Sequence, residues 1–211
     1  MVIDYSLYLV TDRNLCGSRS LLSIVEEAVA GGVSCVQLRE KDLDSRQFVE
    51  QAKALQSLLQ QLDIPLIIND RVDVALASGA AGVHLGQSDM HIRDARPLLG
   101  DTLIIGVSAE TVDDAVAAER EGADYIGISP VFSTTTKKDI AEPLGLEGVS
   151  RIRELVQIPL VGIGGISEHN AAEVIDHGAD GVAVVSAIVS ADSPARASAS
   201  ILQQVKQGRR E

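Results

Sequence analysis

Two cationic side chains follow an apolar stretch at a spacing of two residues. Arg39 and Lys41 end the segment Gln37-Leu38-Arg39-Glu40-Lys41. Because side chains alternate along a strand, Gln37, Arg39 and Lys41 would share one face. If Leu38 packs beneath a helix, that face points inward, and its two cations would bind an anion. The alternative is a run of surface charge, which the position of Gln37 within an apolar strand disfavours.

Two aspartates follow the next two apolar stretches. Asp70 comes directly after Asn69, and Asp89 lies five residues after His84. Magnesium prefers oxygen ligands and usually takes one or two carboxylates, while substrate and water supply the rest. The pair therefore predicts one Mg²⁺ per site, beside the predicted cations. Each aspartate alone could instead cap the next helix, and His84 is interpreted as a hydrogen-bonded histidine of the core or rim.

Hydroxyl groups and a lysine follow two later stretches. Ser108 could donate to a phosphate or could serve as a turn residue. The polar segment 129–139 is long enough to close over a site, although a surface loop without a ligand is the alternative. Its candidate phosphate-binding residues are Thr134, Thr135, Thr136 and Lys137.

Glycines and small residues follow the last two apolar stretches. Gly164 and Gly165 would let the backbone approach a ligand closely, and Val185 and Ser186 offer further donors. Loops in these positions of a barrel commonly bind phosphate through backbone N–H groups. Two anion sites are therefore predicted, one for a diphosphate and one for a monophosphate. A metal-bound diphosphate is a good leaving group, and the second phosphorylated ligand would be the nucleophile.

A recurring unit would position these residues. A helix-like stretch ends in glycine, a small residue follows, and an apolar strand begins, as in 30–38, 78–85, 121–128 and 177–184. Strands that are apolar on both faces are typical of a buried parallel sheet. The eight predicted strands are 7–10, 35–38, 66–69, 82–85, 103–107, 125–128, 160–163 and 181–184. The predicted helices are 21–30, 45–62, 72–78, 92–98, 112–121, 146–156, 168–177 and 195–207.

Strict alternation of strands and helices predicts an α/β fold, a single (β/α)₈ TIM barrel. We assign one domain to residues 1–207 and a frayed tail to 208–211. An open doubly wound sheet is the rival fold, but its usual glycine-rich turn is absent after the first strand. In a barrel, the carboxyl ends of the strands would gather the residues described above at one rim.

Composition limits the partners. The 211 residues carry a net charge of −12, 2% aromatic residues and no tryptophan, so we expect no binding to nucleic acid. No apolar run is long enough to span a membrane. Cys16 and Cys35 are far apart, and no secretory signal is evident, which favours a reduced, cytoplasmic protein. We expect small phosphorylated substrates as partners, and the sequence leaves open whether the chain forms a homo-oligomer.

The motifs resemble those of the thiamine-phosphate synthase family, in order and over nearly the whole chain. The matching stretches are 7–12, 37–41, 68–71, 82–89, 106–108, 122–132, 134–139, 145–148 and 162–166. The resemblance implies a barrel transferase of thiamine biosynthesis. Such an enzyme joins hydroxymethylpyrimidine diphosphate to hydroxyethylthiazole phosphate, or its carboxylated form, and releases diphosphate. The C–O bond would break first, giving a pyrimidine-methyl cation that the thiazole nitrogen captures.

The resemblance also implies residue roles. The pyrimidine diphosphate site would comprise Gln37, Leu38, Arg39, Glu40, Lys41, Asn69, Ser108 and Lys137. The catalytic residues among these would be Arg39, Lys41, Ser108 and Lys137. The thiazole phosphate site would comprise Thr134, Thr135, Thr136, Gly165, Val185 and Ser186, and the Mg²⁺ ligands would be Asp70 and Asp89. The family often has proline at the position of Ser133 and varies at Thr135, and we expect neither to alter the chemistry.

Two related functions are the alternatives. A thiazole tautomerase shares the barrel but uses a histidine just after the sixth strand, where this chain has Pro130. A regulatory barrel that binds thiamine phosphate would need the anion sites but not Mg²⁺.

Overall fold

The computed structural model describes residues 3–134 and 142–209. Within these residues, eight parallel strands form a closed barrel in chain order, in which the first strand also pairs with the eighth. The strands are β1 (Leu7–Val10), β2 (Cys35–Leu38), β3 (Leu66–Asn69), β4 (Gly82–Leu85), β5 (Ile104–Ala109), β6 (Tyr125–Ile128), β7 (Leu160–Ile163) and β8 (Gly181–Val184). The closed barrel confirms the predicted fold class.

Helices connect the strands around the outside of the barrel. They are α1 (Leu21–Ala30), α2 (Ser45–Gln61), α3 (Val72–Ser78), α4 (Ile92–Leu99), α5 (Val112–Arg120), α6 (Gly145–Leu155), α7 (Ala171–Asp176), α8 (Ser186–Val189) and α9 (Pro194–Gly208). The short helix α8 was not predicted, and a 3-10 helix at Arg13–Leu15 follows β1. The predicted tail begins at Gly208, which is the last residue of α9, and residues 210–211 lie outside the described residues.

Side-chain caps fix where several helices begin. The Asp44 side chain accepts a hydrogen bond from the Gln47 N–H at 2.9 Å, which satisfies an otherwise unpaired donor at the start of α2. At the start of α5, Thr111 and Asp114 form a capping box, in which each side chain accepts from the backbone N–H of the other. These local bonds fix the residue at which each of these helices begins.

Strand alternation divides the core into two layers. In β1, Leu7 and Leu9 pack against the outer helices, whereas Tyr8 and Val10 belong to a smaller cluster inside the barrel. The interior cluster comprises Tyr5, Tyr8, Val10, Cys35, Ile67, Tyr125, Val161 and Ala183. Inward-facing residues near the carboxyl ends of the strands therefore reach a common space above this cluster.

A repeated ion pair ties helices to strands at the amino-terminal end of the barrel. Asp124, just before β6, accepts from the Ile105 N–H at 2.7 Å and from the Arg96 guanidinium at 2.6 Å. The same arrangement recurs two strands later. Asp180, just before β8, accepts from the Leu160 N–H and from the Arg153 guanidinium. The recurring Gly-Ala-Asp segment thus supplies an acceptor as well as a helix end.

No helix among residues 3–134 and 142–209 has the length and apolar character needed to cross a membrane.

Candidate active site

A cavity of about 1070 Å³ opens at the carboxyl ends of the strands. It brings together most of the predicted site residues, namely Gln37, Arg39, Lys41, Asn69, Asp70, Asp89, Ser108, Thr134, Gly165, Val185 and Ser186. Thr135, Thr136 and Lys137 lie outside the described residues. The predicted diphosphate and monophosphate regions therefore share one cavity.

The structure directs two of the predicted residues away from this cavity. The Leu38 side chain is fully buried in the layer between barrel and helices. The Glu40 carboxylate pairs with Arg13 at 3.1 Å. The alternation along β2 continues past its end, so positions 37, 39 and 41 face inward while positions 38 and 40 face outward. The burial of Leu38 beneath the helices agrees with the alternation along the strand. The assignment of Leu38 and Glu40 to the pyrimidine diphosphate site stays a prediction from the family motif.

Arg39 is held from the end of β1. Its guanidinium Nη1 lies 3.4 Å from Oδ2 of Asp12, and its backbone N–H donates to the Thr11 hydroxyl at 3.1 Å. Both partners are buried. A long cation that is fixed at its backbone and its head has less freedom to lose when an anion binds.

An acidic pair lies beside these cations. The Lys41 ammonium forms an ion pair with Asp70, whose carboxyl lies next to that of Asp89. Burial raises the pKa of Asp89 above its usual value, and the neighbouring Asp70 raises it further, while the Gly86 N–H at 2.7 Å opposes the shift. Two adjacent carboxylates repel each other, so a cation between them would relieve the cost of ionisation.

The backbone at Asp70 is strained. Asp70 has φ of 65°, in the left-handed region that residues other than glycine rarely adopt. Its N–H donates to the His84 carbonyl at 2.8 Å, a bond between the ends of β3 and β4. This turn brings the Asp70 carboxyl toward Asp89, which is consistent with strain that is retained for function.

The aspartate pair fits magnesium better than a protein-enclosed metal centre. Among residues 3–134 and 142–209, no group of three or more histidine, cysteine, aspartate or glutamate side chains is placed to hold a metal ion. Two hard oxygen ligands beside an open cavity leave coordination positions for water and for a ligand, as Mg²⁺ usually requires.

One acceptor in the cavity wall has no partner. The Oδ1 atom of Asn69 is buried and accepts no hydrogen bond within the described part of the chain. A buried acceptor without a donor is costly, so this atom is suited to a ligand N–H group.

A chain of hydrogen bonds lies beneath the cavity, inside the barrel. Gln37 Nε2 donates to the Tyr8 hydroxyl at 3.0 Å, and the hydroxyls of Tyr8 and Tyr125 are 2.9 Å apart. The Tyr125 hydroxyl lies 2.8 Å from Nδ1 of His84, and Nε2 of His84 lies 2.9 Å from the Ser108 hydroxyl. His84 is thus hydrogen-bonded, as predicted, but Tyr8 and Tyr125 were not predicted as site residues. Their signal was a polar aromatic residue at an inward position of an apolar strand.

The opposite side of the cavity is built from glycines against the segment after β6. Gly165 has φ of 65°, and a Cβ atom there would lie 2.7 Å from the Ser133 carbonyl oxygen. The Phe132 N–H donates to the Gly164 carbonyl at 3.0 Å, and Val131 donates to Ile163 at 2.8 Å. The segment that leads to Thr134 is therefore fastened to the end of β7.

Backbone N–H groups that are suited to binding a phosphate follow β8. Val185 and Ser186 lie at the start of α8, where the first backbone N–H groups of a helix have no acceptor within it. These donors line the same cavity as Gly165. An anion bound between them would lie across the barrel mouth from Lys41.

Known proteins resemble this chain over most of its length. The family model described as thiamine monophosphate synthase matches residues 7–188. A thiamine-phosphate synthase of Chloroflexus aurantiacus is 52% identical over 191 residues, covering 90% of this chain and 88% of that protein. A thiamine-phosphate synthase of Clostridium novyi is 51% identical over 192 residues, covering 91% and 94%. The solved thiamine phosphate pyrophosphorylase from Pyrococcus furiosus superposes with a TM-score of 0.90 at 40% identity, covering 97% of each chain.

Proposed function

The chain belongs to the thiamine-phosphate synthase family, and from that membership we propose the reaction that it catalyses. It couples hydroxymethylpyrimidine diphosphate with hydroxyethylthiazole phosphate, or with the carboxylated form, and gives thiamine phosphate and diphosphate. The observation that carries this proposal is the convergence of Arg39, Lys41, Asp70, Asp89 and Ser108 on one cavity.

The diphosphate is held at the side of the cavity that contains the cations. Arg39 and Lys41 donate to its oxygens, and the hydroxyl of Ser108 adds a neutral donor. Lys137 is assigned to the same group on the family motif. Magnesium held by Asp70 and Asp89 would neutralise charge on the diphosphate oxygens. Donors fixed in place before the reaction stabilise a charge as it develops, which is commonly the largest contribution to catalysis.

The pyrimidine ring is oriented by amide side chains. The unpaired Oδ1 of Asn69 accepts from the ring amino group, which removes the cost of leaving that atom buried without a donor. Gln37 lies on the neighbouring strand and presents a second amide to the ring. Both side chains hold the ring so that its methylene carbon points toward the centre of the cavity.

The thiazole phosphate lies at the glycine side of the cavity. Backbone N–H groups at Gly165, Val185 and Ser186 bind its phosphate, and the hydroxyls of Thr134, Thr135 and Thr136 complete the enclosure. A phosphate fixed at this side directs the thiazole nitrogen toward the methylene carbon of the other substrate. Orientation of two bound reactants can itself supply a large part of the rate enhancement.

The coupling is a dissociative substitution. The C–O bond of the pyrimidine substrate breaks, and its electron pair leaves with the diphosphate. The lone pair of the thiazole nitrogen then forms the C–N bond to the resulting cation. No protein nucleophile is required, which agrees with a site that offers cations and hydroxyl donors around an open cavity. When the substrate is the carboxylated thiazole, loss of CO₂ accompanies product formation.

The direct test is incubation of the purified chain with both substrates and Mg²⁺. Release of diphosphate in equal amount to thiamine phosphate is the expected result. Isomerisation of the carboxylated thiazole without coupling would indicate the tautomerase instead. Binding of thiamine phosphate without turnover would indicate a regulatory protein.

We also place the enzyme in the cytoplasm as one domain, with small phosphorylated substrates as its partners. The two cysteines, Cys16 and Cys35, are both buried and unpaired, which supports a reducing compartment.

A further inference from the structure

We propose that Tyr125 is a positioning residue, which fixes His84 in its Nε2–H form and so makes Ser108 a hydrogen-bond donor toward the diphosphate. This inference rests on the proposed coupling reaction for its catalytic meaning. The hydrogen-bond chain itself is a property of the protein without ligands.

This series of hydrogen bonds links two substrate-facing residues from well-separated strands. Gln37 is on β2 and Ser108 is on β5, and both line the cavity. Between them, Tyr8, Tyr125 and His84 form an unbroken series of four hydrogen bonds of 2.8–3.0 Å. These lengths are typical of well-formed hydrogen bonds.

The first bond sets the direction of the series. The Nε2 atom of Gln37 is an amide nitrogen, which donates and cannot accept. The Tyr8 oxygen is therefore the acceptor in that bond, and its own hydrogen must point elsewhere. Tyr8 has two neighbours to which it could donate, the Tyr125 oxygen and the Cys35 sulfur. Sulfur is the weaker acceptor, so the hydrogen of Tyr8 is directed to Tyr125.

Each tyrosine contributes a single hydrogen. Burial raises the pKa of Tyr8 and of Tyr125 well above the ordinary tyrosine value, so both remain neutral hydroxyls. Since the Tyr125 oxygen accepts from Tyr8, its hydrogen is available to Nδ1 of His84. A neutral imidazole that accepts at Nδ1 carries its hydrogen on Nε2.

The last bond decides what Ser108 offers to a ligand. With its hydrogen on Nε2, His84 donates to the Ser108 oxygen at 2.9 Å. The Ser108 hydroxyl hydrogen then has no acceptor within the described residues and can be donated into the cavity. In the reverse direction, Ser108 would donate to His84 and present only lone pairs, which repel an anion. The direction of the series thus determines whether Ser108 attracts or repels a diphosphate.

Packing holds Tyr125 in the position that this role requires. A Cβ atom added at Gly106 would lie 2.1 Å from Cζ of Tyr125, so the ring occupies space that glycine leaves empty. The ring of Tyr5 lies on another side, with centroids 4.6 Å apart. Removing the Tyr125 hydroxyl alone should therefore leave the ring in place and interrupt only the hydrogen bonds.

The kinetic experiment compares Tyr125→Phe with Tyr5→Phe. Both substitutions remove one hydroxyl from the same buried cluster, but Tyr5 takes no part in the series. Loss of one donor to a developing negative charge predicts that Tyr125→Phe lowers kcat about tenfold while KM for the pyrimidine diphosphate changes less than about twofold. In a Ser108→Ala background, Tyr125→Phe should lower kcat by less than about twofold. Equal losses in the two phenylalanine variants, or a full loss in the Ser108→Ala background, would overturn the proposal.

The spectroscopic experiment reads the histidine form directly. Nitrogen-15 NMR of the ligand-free chain, with His84 assigned by a His84→Gln variant, should show the Nε2–H form in the unaltered protein and in Tyr5→Phe. In Tyr125→Phe, the Nε2–H form of His84 should no longer be the single species observed. An Nδ1–H form in the unaltered protein, or no change in Tyr125→Phe, contradicts the inference. Because no substrate is present, failure of the coupling reaction and failure of the donor series give different results.

Discussion

The ionised form of the Asp89 side chain is less favourable in the folded protein than that of an ordinary exposed aspartate. Burial and the adjacent Asp70 carboxyl both disfavour its ionised form, and Lys41 compensates only in part. A side chain that is unfavourable in the empty protein but suited to a cation is typical of a binding site that is maintained at the expense of stability.

Asp89→Asn should therefore raise the Mg²⁺ requirement of coupling. Loss of one carboxylate ligand predicts that half-maximal rate needs about tenfold more Mg²⁺, which corresponds to ~1.4 kcal/mol. A magnesium titration of the initial rate measures this. Asp73→Asn is the matched control, because Asp73 lies in the next helix and pairs with Arg71 outside the cavity. Identical titrations for both variants and the unaltered chain would remove the metal assignment.

The same substitution should change the pH dependence of stability. The folded-state pKa of Asp89 is raised, so its ionisation destabilises the fold as the pH rises from the ordinary aspartate range through that higher value. At acidic pH, where Asp89 is protonated in both states, asparagine gives no advantage. Without magnesium, we expect Asp89→Asn to increase the free energy of unfolding near neutral pH and to lose this gain on acidification. Denaturant titrations at the two pH values measure it, and a gain that grows on acidification would contradict the assignment.

At the level of secondary structure, Gly165, in the loop just after β7, couples two loops. Gly165 is left-handed and lies against the Ser133 carbonyl, so the segment after β6 can approach only because no side chain intervenes. The base of that segment leads to Thr134, at the proposed thiazole phosphate site.

Gly165→Ala should raise KM for the thiazole phosphate more than it raises KM for the pyrimidine diphosphate. The substitution adds ~1–2 kcal/mol of backbone strain and also displaces the Ser133 carbonyl. Gly79→Ala isolates the strain, because Gly79 has φ of 71° with no atom within 4 Å of an added Cβ. Steady-state kinetics and melting temperatures of both variants separate the effects. A comparable rise in KM for Gly79→Ala would show that strain alone is responsible.

The aspartate at the amino-terminal end of β6 should be important for stability and not for catalysis. Asp124→Ala leaves the Ile105 N–H and the Arg96 guanidinium without their shared acceptor, a loss of about 1–3 kcal/mol. Chemical denaturation measures this, with the exposed Asp101→Ala as control. We expect kcat per folded molecule to stay unchanged, because the cavity lies at the other end of the barrel. A fall in kcat would show that the two ends are coupled.

The strands and most helices could be predicted because alternation and glycine spacing act locally. Strand β5 extends two residues past its predicted end, since Ser108 and Ala109 pair with β6, and that pairing depends on the neighbouring strand. Helix α7 begins three residues later than predicted, because Asn170 accepts from the Ser167 N–H at 2.8 Å and closes a turn first. Helix α8 has four residues, too few for a periodic pattern.

The candidate site was predictable where side-chain type alone carried the signal. Alternation along the strand predicts that Arg39 faces inward. The positions of Asp70 and Asp89 just after strands predict that they lie at the same rim. The role of Tyr125 could not be inferred in this way, because its hydroxyl meets Tyr8 across the barrel, 117 residues away in sequence. Long-range contacts of this kind depend on the barrel being closed.

At the level of the whole molecule, barrel closure joins the cavity to every strand. Because β1 pairs with β8, a ligand at the mouth contacts elements from both ends of the chain. Binding there should stabilise the barrel as a unit. The net charge of −12 does not prevent anion binding, since cations converge at the cavity.

Inorganic diphosphate with Mg²⁺ should therefore raise the melting temperature in a single transition. At a ligand concentration one hundred times Kd, the added stability is about 2.7 kcal/mol. Differential scanning calorimetry measures the shift, with magnesium chloride alone as control. Asp89→Asn should reduce it. A transition that splits in two, or a shift equal to that of magnesium alone, would contradict binding to one cooperative barrel.

The placement of the aromatic residues gives the protein an internal optical reporter. The chain contains no tryptophan, and its three tyrosines all lie in the barrel interior, where Tyr8 and Tyr125 also line the cavity. Ultraviolet-excited emission therefore comes from phenol rings gathered beneath the bound substrates. Quenching or enhancement of this emission can follow ligand entry in real time, without a dye or an introduced fluorophore.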